Sequence, residues 1–149
     1  GAGVPIAAAM FSDRVAASAK AGDHGSTYGG NLLACRAALV FLNELTGNGL
    51  MDHVARIGPY LERGLRAIAS RQPAVKAVRG AGVMRGLELA VDAAPVVEGA
   101  LARGLLVNRT AERVVRMLPP YTVTTADIDE AIATLDAVLA GLPAEATAQ

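Results

Sequence analysis

Val75-Lys76-Ala77-Val78-Arg79-Gly80-Ala81-Gly82-Val83-Met84-Arg85-Gly86-Leu87-Glu88-Leu89-Ala90 is the stretch on which the fold turns. Its two flanks, Val75–Arg79 and Val83–Ala90, set valine and leucine between polar residues, the mark of half-buried strands. Between them Gly80-Ala81-Gly82 supplies residues free to turn sharply. The GxGxxxG spacing resembles a dinucleotide loop, but that fingerprint is GxGxxG and opens a helix. A hairpin turn is the better reading.

Outward from this hairpin the pattern changes period. Upstream, Leu50, Val54, Ile57, Leu61, Leu65 and Ile68 recur every three or four residues, predicting an amphipathic helix to about Arg71. Arg56, Glu62, Arg63 and Arg66 fall on its outer face, and Gln72-Pro73 stops it. Downstream, Ala94–Arg103 reads as a short helix, Leu105–Asn108 as a strand, and Val114–Leu118 as another that ends at Pro119-Pro120. Thr124 with Asp127 three residues on forms a capping box with aspartate in place of glutamate. The helix it opens carries Ile128, Ile132, Leu135 and Leu139 on one stripe, and Leu142–Gln149 is expected to fray. The fold class read here is α+β, a small antiparallel-rich sheet with helices packed on one side.

Before Gly47-Asn48-Gly49 the chain is different. Gly1–Pro5 is a loop, Ile6–Phe11 a candidate short strand, and Ser12-Asp13 a cap for a weak helical turn to about Ala19. Gly22–Asn31 holds four glycines in ten residues and ends on a good N-cap. The helix from Leu32 to about Leu45 is apolar on nearly every face, as buried helices are.

Composition removes several function classes. The chain has 149 residues, 52% apolar and 19% charged, with mean hydropathy +0.36, which is a folded chain and not a disordered tail. Fourteen basic residues against fourteen acidic ones leave no net charge, against a nucleic-acid partner. Uncharged stretches such as Gly1–Ser12 and His24–Cys35 run to 12 residues, short of the ~20 a membrane span needs. With no basic stretch before an apolar run, and a single cysteine, the chain is expected in a reducing cytoplasm.

Four groups of residues bear on chemistry. Gly22-Asp23-His24-Gly25-Ser26-Thr27-Tyr28-Gly29-Gly30-Asn31 combines small residues with hydroxyls, which suits close approach to a phosphate. It lacks the Gly-Lys-Ser/Thr of a Walker loop, and a plain glycine-rich connector has the same composition. Composition does not choose between the two. His24 and His53 have no metal-ligand spacing, so no metal is expected; His24 lies in the loop, while His53 is expected to face solvent. Cys35 is read as packed and not reactive. Arg116, a cation ending an apolar strand, can grip a carboxylate through its planar fork, or can be a surface arginine on an edge strand.

His24-Gly25-Ser26-Thr27-Tyr28-Gly29-Gly30-Asn31-Leu32-Leu33-Ala34-Cys35 resembles the class III, fold type I aminotransferases, which depend on pyridoxal 5'-phosphate. The similarity begins at Gly3-Val4-Pro5-Ile6. It resumes at Val78–Met84, at Gly104-Leu105-Leu106-Val107-Asn108, at Arg116-Met117-Leu118-Pro119-Pro120 and at Ile128–Ala131. The order is the family's, and it covers nearly the whole chain. Within the family the acetylornithine branch is most similar, and the ornithine branch follows closely.

The resemblance implies that Thr27 reaches across a homodimer interface to the partner subunit's cofactor phosphate. It implies that Ser26 lines the amino-acid site and that Arg116 pairs with a substrate carboxylate. It places residues 1–30 as a remnant of the large cofactor-binding domain with the interface loop, and residues 31–149 as the C-terminal small domain. The intact enzyme would move the terminal amino group of N-acetylornithine, or a similar amine, to 2-oxoglutarate.

Departures are visible. Leu32 stands where the family usually has proline, and Ala7-Ala8 where it has Gly-Ala. The family's Schiff-base lysine precedes the glycines that begin this chain, and neither Lys20 nor Lys76 matches it. No catalytic residue is therefore assigned, and the chain is expected to be an inactive C-terminal portion. Two other readings compete: a stand-alone interaction module that only dimerises, and a small enzyme binding a phosphorylated ligand at Gly22–Asn31. As a portion, the chain is expected to leave the faces of Ile6–Phe11 and Leu32–Leu45 uncovered and to self-associate.

Overall fold

The predicted hairpin forms. In the computed structural model, which describes residues 3–142, β1 (Val75–Ala81) and β2 (Met84–Leu89) pair antiparallel, with Ala81 opposite Met84 across the turn. Gly80 has φ +121°, and a β-carbon there would lie 2.1 Å from the Met84 carbonyl oxygen. Only glycine fits.

The chain divides into two units, Gly1–Gly49 and Leu50–Gln149. In the second, five elements join the hairpin: α3 (Leu50–Ala69), α4 (Ala94–Leu101), β3 (Asn108–Thr110), β4 (Val114–Met117) and α5 (Thr125–Ala140). The sheet order is β1-β2-β4-β3, antiparallel throughout, so β4 is an interior strand. Along β2, Leu87 and Leu89 are buried while Gly86 and Glu88 are not; along β4, Val115 and Met117 are buried. That alternation turns one sheet face inward. Against it pack Ile57, Leu61, Leu65 and Ile68 of α3, Val96 of α4, and Ile128, Leu135 and Leu139 of α5. The α+β architecture with its helices on one side of an antiparallel sheet is as expected.

Close approach has its own requirement. A β-carbon on Gly58 of α3 would lie 2.8 Å from the Gly82 carbonyl oxygen, so the helix can touch the hairpin turn only at a glycine. Pro59 follows inside the helix. Both are poor helix formers, and tertiary packing carries them. At the start of α5 the capping box is present in both directions: Thr124 accepts from the Asp127 N–H, and the Asp127 carboxylate accepts from the Thr124 N–H at 2.9 Å. The strand expected at Leu105–Asn108 is displaced to β3, because Leu105 and Val107 pack against the core and pairing with β4 begins only at Asn108.

In the first unit, α1 is the single turn Asp13–Ala16, and its Ser12 cap makes no side-chain hydrogen bond. Ile6–Phe11 is not a strand: it has no regular structure, and Met10 and Phe11 are exposed. An apolar run becomes a strand only where its backbone groups find a ladder partner. Helix α2 (Leu32–Thr46) starts where predicted, with the Asn31 Oδ1 accepting from the Ala34 N–H at 3.0 Å. None of its residues is buried, and Leu32 is 86% exposed. The burial that its composition predicts is absent, and its apolar face stays uncovered. The expected fraying beyond Leu142 lies outside the described residues.

Candidate functional site

The loop before α2 is built from consecutive turns. The Asp23 carboxylate accepts from the Lys20 N–H at 2.7 Å, Gly22 and Gly30 take φ +97° and +71°, and the Asn31 N–H reaches the Tyr28 carbonyl at 3.1 Å. Within this frame Ser26 Oγ accepts from the Gly29 N–H at 3.0 Å. Thr27 is exposed, and its hydroxyl has no hydrogen-bonding partner among the described residues. Ser26 thus shapes the loop, while Thr27 is left with a free donor. His24 is also exposed.

Arg116 lies in the second unit, on β4, with Gly86 of β2 and Asn108 of β3 as its register partners. It is not on an edge strand, which removes the plainer of its two readings. Five other arginines have carboxylate partners: Arg66 and Arg85 with Glu62, Arg71 with Asp136, Arg79 with Glu88, and Arg109 with Asp92. Arg116 has none among the described residues, and its Nε is buried without any hydrogen-bonding partner. A buried donor left unpaired costs about 1–3 kcal/mol, and more when charged.

Other side chains prove structural. Arg85 stands at an inward position of β2 and is 8% exposed. Its guanidinium donates to the carbonyls of Gly82 at 3.0 Å and Gly80 at 2.8 Å, and pairs with Glu62 at 2.9 Å. It ties the hairpin turn to α3. Glu62, read from sequence as outer-face, is half-buried between Arg66 and Arg85, which hold its carboxyl below the usual value. The inward position of Arg85 had a signal in the sequence, since it shares its strand face with Leu87 and Leu89, but its pairing with Glu62 had none. His53 is corrected in the same way: it is half-buried, and its Nε2 lies 2.9 Å from the Val123 carbonyl oxygen. A carbonyl only accepts, so Nε2 carries the proton.

A cleft of about 570 Å³ opens where β4 ends and α5 begins, lined by Leu61, Leu105, Met117, Pro119, Val123 and Ile128 among others. None of Ser26, Thr27 and Arg116 lines it. Among the described residues no group of His, Cys, Asp and Glu is placed to hold a metal ion. No described helix is long and apolar enough to cross a membrane.

Known proteins match this arrangement. The family described as Aminotransferase class-III matches residues 1–139. An acetylornithine aminotransferase from Caldanaerobacter subterraneus subsp. tengcongensis is 43% identical over 140 residues, which are 93% of this chain and 35% of that protein. Another from Methanothermobacter thermautotrophicus is 38% identical over 142 residues, 95% of this chain and 36% of that protein. Among solved structures, an ornithine aminotransferase from Toxoplasma gondii superposes with TM-score 0.74 and 32% identity, over 82% of this chain and 30% of its own. The chain spans about a third of the length of the relatives it matches.

Proposed function

The chain belongs to the class-III aminotransferases, and from that premise we propose that it is the C-terminal part of an enzyme that moves the terminal amino group of N-acetylornithine to 2-oxoglutarate. The observation that carries the reading is Arg116: a half-buried guanidinium on an interior strand, its Nε unpaired, in a chain most of whose neighbouring arginines have acidic partners. Both proposed substrates carry carboxylates. Two parallel N–H···O bonds from a planar fork fix such a group in orientation as well as position, and partial burial strengthens them.

We further propose pyridoxal 5'-phosphate as the cofactor. The exposed, unpartnered Thr27 hydroxyl in a loop of small residues suits its phosphate. When bound, the cofactor supplies electron withdrawal from the carbon that bears the amino group. In this reading Thr27 donates to the phosphate held mainly by the partner subunit of a homodimer, Ser26 borders the amino-acid site, and Arg116 holds a substrate carboxylate. Residues 1–30 then belong to a large domain and residues 31–149 to a small one. Neither Lys20 nor Lys76 stands at the family's Schiff-base position, so the 149-residue chain by itself is expected to show no turnover.

The test is glutamate formation by the product of the full reading frame in which this sequence stands. N-acetylornithine used in preference to ornithine, with 2-oxoglutarate required, supports the proposal. Preference for ornithine moves it to the ornithine branch, and no glutamate from either amine overturns it.

A further inference from the structure

On the outward face of the sheet one row of residues crosses all four strands. Arg79 of β1 stands opposite Gly86 of β2, Gly86 opposite Arg116 of β4, and Arg116 opposite Asn108 of β3. Directly paired positions put side chains of one face about 5 Å apart. Asn108 and the bare Gly86 are therefore the neighbours of Arg116 along this row. At the far end of the row, Arg79 is neutralised by Glu88. A β-carbon on Gly86 would lie 3.0 Å from Val114 Cγ1, so a side chain there would need Val114 to give way slightly, and glycine adds no bulk next to Arg116 in the row.

Asn108 is exposed, and among the described residues its amide has no hydrogen-bonding partner. Asparagine is a poor strand former, yet here it opens β3 with its side chain on the face that Arg116 occupies. An amide beside a guanidinium turns its oxygen to the cation at no cost in charge, and its N–H₂ group remains for an anion.

We propose that Asn108 is the second arm of the carboxylate site centred on Arg116, its Nδ2–H donating to one carboxylate oxygen while the Arg116 guanidinium donates to the group from the adjacent strand. This rests on the reading of Arg116 given above. One positive charge and one neutral donor match the single negative charge of a carboxylate shared over two oxygens. A dianionic phosphate is matched less well. Asn108 is in this sense a specificity-determining residue for the amino-acid and oxo-acid substrates.

The test titrates the ¹⁵N-labelled 149-residue chain with sodium glutarate and follows the Arg116 Nε–H and Asn108 Nδ2–H₂ signals. Both are expected to move along one binding curve. Asn108→Ala is expected to weaken glutarate about tenfold. Asn108→Asp keeps the shape and is expected to abolish the response, because its own carboxylate occupies Arg116. Circular dichroism checks that both variants remain folded. If the Arg116 signal titrates while Asn108 stays still, and Asn108→Ala binds as the parent does, the inference falls and the role of Arg116 stands. If glutarate leaves the Arg116 signal unmoved and Arg116→Gln changes nothing, the reading of Arg116 fails and the inference with it.

Discussion

Arg116 concentrates the chemistry of this chain because its surroundings leave it unsatisfied. A guanidinium kept for structure is normally bonded on several sides, as Arg85 is to Gly80, Gly82 and Glu62. The buried Nε of Arg116 is bonded to nothing described. Removing it should therefore cost the fold little. Arg116→Met is expected to leave the melting temperature of the chain unchanged or higher, since it deletes an unpaired buried donor and keeps an apolar stem. A thermal melt that drops by more than about 1 kcal/mol of stability would show instead that Arg116 has a structural partner. In the full enzyme the same substitution is expected to lower kcat/KM for 2-oxoglutarate about 100-fold, the scale of a charge-assisted bidentate pair.

At the scale of elements, the β1–β2 hairpin depends on one glycine more than on its strands' composition. Gly80→Ala forces a β-carbon to 2.1 Å from the Met84 carbonyl at a φ that alanine resists. It is expected to destabilise the chain by about 3 kcal/mol or to break the pairing, read by urea denaturation and by loss of amide protection in β1. Much of the elements was legible beforehand. Asn31, and Thr124 with Asp127, marked two helix starts correctly, because a cap is a bond between near neighbours and needs nothing distant. Ile6–Phe11 and the bounds of β3 were not legible, since pairing depends on a partner strand that composition does not identify.

For the whole molecule, two consequences follow from what is bonded and what is bare. The carboxyls of Glu62, Asp92, Asp127 and Asp136 are each held below their ordinary values, by Arg66, Arg109, the Thr124 backbone and Gln72 respectively as the leading cause. A carboxyl whose value is lowered by folding stabilises the folded state above its unfolded value. That contribution is lost as pH falls through the lowered one. Stability is expected to be level near neutrality and to decline below about pH 4, as melts taken from pH 7 to pH 2.5 would reveal. The second consequence is association. Met10, Phe11, Leu32 and Leu33 are exposed within one unit, and the chain is expected to self-associate, with static light scattering above the monomer mass. A clean monomer at micromolar concentration would count against it.

The sequence by itself determined the local features of this protein: the period of its helices, their caps, the glycine turn of its hairpin, and the ordered motifs that resemble the family. These rest on interactions between residues a few positions apart, so the linear order contains them. Only the tertiary structure decided which of several similar arginines is free. Arg85 and Arg116 both sit among apolar strand residues, and one is tied into a turn while the other lies unpaired beside Asn108. That difference arises from strand register and from Glu62, brought to β2 from α3. Long-range placement of this kind follows from closing the whole core, which no short stretch of sequence encodes.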